Sequence, residues 1–494
     1  MPGGVPVMSP QPARVAAVPI TTTVPDVAMP PPPPPREPEA PVEADVAVLP
    51  EETAPIEDFD GAPIEADPML VATARETIVY AEPTRRSAKI GYLRLGARVR
   101  RDEHEAGREG CPGGWYRIAP QGFVCVGPAA SLDPSHPLGA LAALRPDRDA
   151  GLPYAYGRSK PVPPPLYTHL PGKSETVALE GHGGRRALGW DDLETDPTPD
   201  VLLTGGSLPT PFGYSRATPG VPARALPNAG FALLGTFDHE GRRFGMTSDL
   251  ELVPLDRLDR VKEGEFHGLV LDEKTTLPVV FVRSRRAFLY EGSESTGLRP
   301  VRPLGFREAV PVVGPSRSIG GLKFLATQAG GFVRDENLLR VEAPPRFPAF
   351  AKPGKTWLRV SITDQTLVAF VGDRPAYVTL VSTGSAGLAD PKEAHATPRG
   401  EFLIHTKHVT ATMDGDEVGD EYDLRDVPYV QYFTEGYALH AAYWHDAFGT
   451  AHSHGCVNLS PLDARFLFHF TAPAVPQGWH GAFSREGSVL SVVP

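Results

Sequence analysis

The sequence predicts a multidomain, mainly β protein. At 494 residues the chain exceeds what one ordinary hydrophobic core organises. Its 56 prolines and 50 glycines favour extended segments and turns over long helices, which argues against a helical bundle. Short runs rich in β-branched and aromatic residues recur between turn residues from about Leu70 onward.

The ends and the charge exclude several classes. A formal net charge of -12 argues against a general nucleic-acid binder, which needs a basic face to displace phosphate counterions. No apolar run reaches the roughly 18 to 20 residues that a membrane-crossing helix requires, so no transmembrane segment is expected. Met1 to Pro25 holds one arginine and no continuous apolar stretch, so no signal peptide is evident in the chain as given.

Residues 1–68 are Pro-rich and acidic, with an unbroken proline run from Pro30 to Pro35. Too little apolar surface is present to offset ordering entropy, and a disordered spacer is expected. Residues 70–133 follow with Thr77-Ile78-Val79-Tyr80, Ile90-Gly91-Tyr92-Leu93, Arg98-Val99-Arg100, Trp115-Tyr116-Arg117-Ile118 and Gly122-Phe123-Val124-Cys125, the short strands of a small barrel. This stretch resembles a bacterial SH3-like module. A similar order returns over 276–345, with Val279 to Val282, Ala287 to Tyr290, Lys323 to Ala326 and Gly331 to Arg334, and a second copy is the economical reading. The intervening 134–275 reads as an irregular β-rich region in which Gly230 to Leu234 and Arg243 to Met246 look like a partial copy.

Cys111 and Cys125 lie on a loop and on the strand that follows it closely. A disulfide closing that loop in an oxidising compartment would contribute about 2 to 3 kcal/mol to a small barrel. The third cysteine stands apart, in Ser453-His454-Gly455-Cys456-Val457-Asn458, downstream of His440-Ala441-Ala442-Tyr443-Trp444-His445. A thiol with histidines nearby points to nucleophilic catalysis. A free cysteine is mostly protonated at neutral pH, and attack on an amide carbonyl needs a base within hydrogen-bond reach. His440 ends the apolar Gly436-Tyr437-Ala438-Leu439 run, which reads as a core strand adjoining the one that bears Cys456.

Over 352–475 the texture is again that of paired strands: Trp357 to Ile362, Thr366 to Val371 and Tyr377 to Val381, then Ser382-Thr383-Gly384, then Thr397-Pro398-Arg399-Gly400-Glu401-Phe402. The strand-end Ser-Thr-Gly, the Thr-Pro-x-Gly-x-Phe strand, and a histidine followed by Ser-His-Gly-Cys occur in the order in which this region resembles the L,D-transpeptidase (YkuD-type) catalytic domain. The resemblance implies a β-sandwich-like catalytic domain that needs no metal or cofactor. It implies Cys456 as nucleophile on a peptidoglycan stem peptide, with a thioester passed to an amine acceptor from a second stem or a protein. His440 becomes the proton acceptor and donor.

Around that pair, Gly455 would let backbone approach the substrate, Ser453 would fix the turn, and the Cys456 amide would donate to a developing oxyanion. On an extended segment His454 would share the face of Cys456 and support the site. Asn458, Tyr429 and Trp444 are candidate substrate contacts. Two positions depart from the common pattern: Ala441 follows the histidine, and Asn458 stands where many members carry arginine, whose charge an amide cannot supply. The acidic stretch 413–426 reads as a solvated loop corresponding to a cap over the cleft, and 476–494 as a C-terminal tail.

A zinc site built from His440, His445, His452, His454 and Cys456 is a rival, but the spacings match no familiar zinc pattern. A papain-like envelope peptidase would place its cysteine before its histidine. A wall-binding scaffold without activity is the reading from another class; it is opposed by retention of both the thiol and the histidine. The resemblance places the protein in the periplasm or cell envelope.

Overall fold

The computed structural model describes residues 68–142, 146–181, 185–214, 223–415 and 421–494. The Pro-rich spacer expected over 1–68 therefore lies, up to its last residue, outside the described residues.

Two sheets enclose the core on which the candidate site rests. The first has six strands in the order Leu269–Val270, Arg374–Leu380, Thr366–Val371, Thr356–Ser361, Val489–Val493, Gly400–Leu403. Alternation explains its inward face, since Leu358, Val360, Leu367 and Ala369 are all buried there. The second sheet contains the long hairpin Thr406–Gly415 and Tyr422–Thr434, followed by Tyr437–Ala441 and Val457–Leu459. Val409, Tyr429, Leu439, Val457 and Leu459 meet the first sheet, and the helix Pro461–Phe470 closes the core with Ala464, Leu467 and Phe468. Ser460 caps that helix by accepting from the Asp463 amide, 3.1 Å away.

The C-terminal segment differs from the expected tail. Val489–Val493 lies inside the first sheet, parallel to Thr356–Ser361 and antiparallel to Gly400–Leu403. Gly481–Phe483 joins Thr406–Gly415 to Lys89–Arg94, so the second sheet runs on into the N-terminal strands. Leu70, Val79, Leu93, Val99 and Val124 consequently share one core with the strands of 352–475, through Trp479 and Ala482. Cys111 and Cys125 are disulfide-bonded beside Tyr80 and Trp115.

Residues of 134–275 also merge with the later strands. Gly230–His239 pairs with Ala155–Ser159 and Arg242–Thr247, and its first residue meets Leu424 of the long hairpin. By contrast, 276–345 forms its own seven-stranded sheet over Val280, Val282, Leu304, Val310, Val312, Leu325 and Val333.

The acidic stretch 413–426 is not a solvated loop where it is described. Met413 to Gly415 and Tyr422 to Asp426 pair as strands, and Asp426 is fully buried. Burial opposes its ionisation. The Arg94 guanidinium and hydrogen bonds from Ser248 and Thr410 outweigh that and hold its carboxyl well below the usual range. Two distant parts of the chain and the partner strand of its own hairpin converge on this one side chain.

Candidate active site

The three motifs of the sequence are joined by hydrogen bonds. Thr397 Oγ1 accepts from the Gly384 amide at 2.9 Å and donates to the Gly455 carbonyl at 2.7 Å. The amides of His452 and Ser453 donate to the Thr383 carbonyl, and Ser382 and Asn458 exchange both backbone bonds. One buried threonine hydroxyl thus ties the Ser-Thr-Gly strand end to the turn before Cys456.

That turn is not extended. Gly455 has φ 132°, and a Cβ there would stand 2.5 Å from Tyr437 Cε1 and 3.0 Å from the Ala396 carbonyl oxygen. Ser453 Oγ accepts from the Gly455 amide at 3.0 Å and donates to the Cys456 carbonyl at 2.5 Å. Ser453 Oγ and the Gly455 amide are therefore engaged in shaping the turn. His454 is exposed, and its ring packs against His395 and Tyr422 rather than following the face of an extended strand.

Tyr437–Ala441 and Val457–Leu459 pair in parallel, Leu439 with Val457 and His440 with Asn458. Cys456 precedes this pairing by one residue, two positions before Asn458. Extended over two residues, such pairing would separate the His440 and Cys456 backbones by roughly 8 Å, and the Cys456 thiol lies toward the Gly436 carbonyl at 3.9 Å. His440 Nδ1 lies 3.0 Å from the Ala441 carbonyl, which it can only meet as a donor. Nε2 is then the unprotonated nitrogen of the neutral ring. Burial lowers His440 to about 4 and pushes the Cys456 thiol up to about 11, although Cys456 itself is partly exposed. At neutral pH the thiol is therefore protonated and the imidazole neutral.

Asn458 is 3% exposed, and its Nδ2 stands 2.9 Å from His445 Nε2. The Ala447 amide donates to His445 Nδ1 at 3.1 Å, so the neutral ring carries its proton on Nε2 and needs an acceptor. Asn458 meets that need only by turning Oδ1 to His445. Its NH2 group then occupies the buried amide position that has no hydrogen-bond partner among the described residues. Asn458 is thereby a donor, fixed by a histidine that sequence reasoning considered only as a metal ligand.

Trp444 stands at the site's edge, its ring 5.6 Å from that of His440. Tyr429 does not line the pocket as expected. It is fully buried against Phe468, and its hydroxyl donates to the carbonyls of Arg148 and Ala150. Its apolar ring is needed in the core, and the two carbonyls satisfy its polar end. Among the described residues, no group of three or more histidine, cysteine or carboxylate side chains is placed to hold a metal.

Residues 355–477 match the family model of the L,D-transpeptidase catalytic domain, YkuD. No match was found among curated proteins. Among solved structures, the chain is 25% identical to an L,D-transpeptidase from Stackebrandtia nassauensis, covering 30% of this chain and 60% of that one at a TM-score of 0.21. It is 22% identical to the catalytic domain of the E. faecium L,D-transpeptidase, over 28% of this chain and 98% of that domain at 0.22. For L,D-transpeptidase 3 of Mycobacterium tuberculosis the identity is 21%, with 35% and 68% covered, at 0.22. The chain spans less than two thirds of the length of the Stackebrandtia protein. The matched L,D-transpeptidase segment contains His440, Cys456 and all three joined motifs, but neither the C-terminal strand of its own sheet nor the N-terminal strands that extend the second sheet.

Proposed function

We propose that the protein is a cysteine-dependent L,D-transpeptidase of the cell envelope that acts on peptidoglycan stem peptides. The observation that supports this reading is the parallel pairing of His440 with Asn458, two residues after Cys456, together with His440 Nδ1 held by the Ala441 carbonyl so that Nε2 is left as base. Cys456 Sγ attacks the carbonyl that follows the L-centre while its proton passes to His440 Nε2. The Cys456 amide donates to the oxyanion, and the imidazolium returns the proton to the leaving D-amino acid. An incoming amine then attacks the thioester, gives its proton to His440, and releases the thiolate, which recovers that proton. The Cys111–Cys125 disulfide supports an oxidising location.

The test is incubation with purified tetrapeptide stems and mass analysis of protein and products. The parent should gain an acyl adduct on Cys456 and release the terminal D-amino acid, and Cys456→Ala should do neither. Turnover by Cys456→Ala would overturn the nucleophile, and wall binding without any turnover by the parent would overturn the enzyme reading.

A further inference from the structure

The sheet of 276–345 buries one face and leaves the other partly in solvent. Ala287, Leu289, Leu325 and Val333 point into its core. By alternation, their neighbours along each strand lie on the outer side. There the register lines up Pro300, Tyr290, Phe332, Ala326 and Val313 in one row across five strands. A second row sets Phe324 between Arg317 and Arg334, and Phe288 stands opposite Pro303. The Tyr290 and Phe324 rings meet edge to face with centroids 5.2 Å apart. Phe288 is 39% and Val313 53% exposed, on a face where Pro300 and Pro303 are exposed as well.

The charge around this face is one-sided. Arg334 is taken by Glu336 at 2.8 Å, whereas Arg317, Arg299, Arg286 and Lys323 are exposed with no ion-pair partner among the described residues. Over 276–345 ten arginines and lysines stand against six carboxylates, in a chain whose net charge is -12. Aromatic and proline carbon beside unpaired cations fits an extended apolar segment that carries carboxylates. Residues 26–45 have that chemistry: an unbroken run from Pro30 to Pro35 is followed by Glu37, Glu39, Glu43 and Asp45. Consecutive prolines lack N–H groups, so they cannot extend a sheet edge and instead dock by their ring surfaces on a face. Six residues at about 3.1 Å each reach roughly 19 Å, the width of five strands about 4.8 Å apart.

We infer that the outer face of the 276–345 sheet binds the acidic proline-rich stretch, residues 26–45, of a second copy of this chain. The proline rings lie over Tyr290, Phe332 and Phe288. The carboxylates that follow them reach Arg317, on the strand Ala309–Ile319 where the aromatic row ends. Each copy offers one face and one stretch, so two different patches meet and the contact is heterologous. Because its charged groups are exposed, the contact weakens as salt rises.

The experiment is analytical ultracentrifugation of the full chain over a range of concentrations, with a fluorescein-labelled peptide of residues 26–45 as a separate probe. The parent should associate as concentration rises, and less so in high salt. Replacing each of Pro30 to Pro35 by alanine, or Phe288→Ser, should leave the chain monomeric. A mixture of those two variants should form a complex, because one keeps the face and the other the stretch. Arg317→Glu, at an exposed position, should weaken peptide binding about 3- to 5-fold, as an exposed ion pair allows, and it keeps the test valid if Phe288→Ser unfolds. Association that persists in the alanine variant would overturn the inference. A parent that stays monomeric at every concentration would do the same, even one that binds the labelled peptide. Binding of soluble glycan strands that is lost in Phe288→Ser, with no binding of the peptide, would give the face to another partner and overturn it too.

Discussion

His445 Nε2 and the side-chain amide of Asn458 are 2.9 Å apart, and Asn458 is itself the cross-strand partner of His440. Because His445 Nδ1 already accepts from the Ala447 amide, the Nε2–H needs an acceptor, which Asn458 supplies with its amide turned about so that Oδ1 takes the place of Nδ2. Asn458→Asp keeps the bond to His445 but sets an anion beside the buried His440. The acid limb of kcat/KM should move up by about one pH unit. Asn458→Ala leaves the His445 N–H buried without an acceptor and should cost about 1 to 3 kcal/mol in urea unfolding. An unshifted acid limb in the aspartate variant would remove Asn458 from the electrostatics of the base.

The resting pair predicts a particular pH dependence. Burial lowers His440 to about 4 and raises Cys456 to about 11, so both are neutral across the middle of the pH scale. Alkylation of Cys456 by iodoacetamide without substrate should be slow at pH 7 and climb toward pH 11, while turnover should rise as pH passes about 4 and then level. A thiolate titrating below pH 7 in the alkylation profile would instead indicate a preformed ion pair.

Arg94 and Asp426 form a buried pair across a separation of 332 residues. Arg94→Met strands the carboxylate among Ser248, Thr410 and His480 and should cost about 3 to 5 kcal/mol at pH 7. The sign with pH follows from the depressed carboxyl. Its stabilisation is present above the unfolded value near 4 and is lost as pH falls through the lower folded value. The parent should lose stability steeply below about pH 4 in acid titration followed by circular dichroism, and Arg94→Met should lose less over the same interval.

The disulfide closes a separation of 14 residues beside Trp115. Replacing both cysteines by alanine should lower stability by about 3 kcal/mol, read as a drop in Tm. Three free thiols in unreduced native protein would exclude the bond.

Much of the site was legible in the sequence because its chemistry is written in short segments. Ser382-Thr383-Gly384, Thr397-Pro398 and Ser453-His454-Gly455-Cys456 could each be named without their neighbours. That Thr397 joins the other two through one hydroxyl could not, since the bond spans 58 residues. Asp426 was read with the acidic run around it, because nothing local shows that Arg94 and Ser248 meet it inside the protein. Tyr429 shows a different ambiguity, in that an aromatic residue near a catalytic strand serves a pocket or a core equally well until its hydroxyl partners are known. Val489 to Val493 did carry a signal, with Leu490 and Val492 alternating inward, but a strand at the chain's end pairs with residues more than 100 positions earlier.

That last strand governs how the molecule can be divided. Cutting at residues 355 and 477, where the family match begins and stops, removes the neighbour shared by Thr356–Ser361 and Gly400–Leu403, together with the strand that links the hairpin to Lys89–Arg94. The excised piece would present open backbone edges on both of its sheets, each ready to recruit another chain. The smallest unit able to stand alone is set by sheet closure, and it reaches well outside the span that the chemistry occupies.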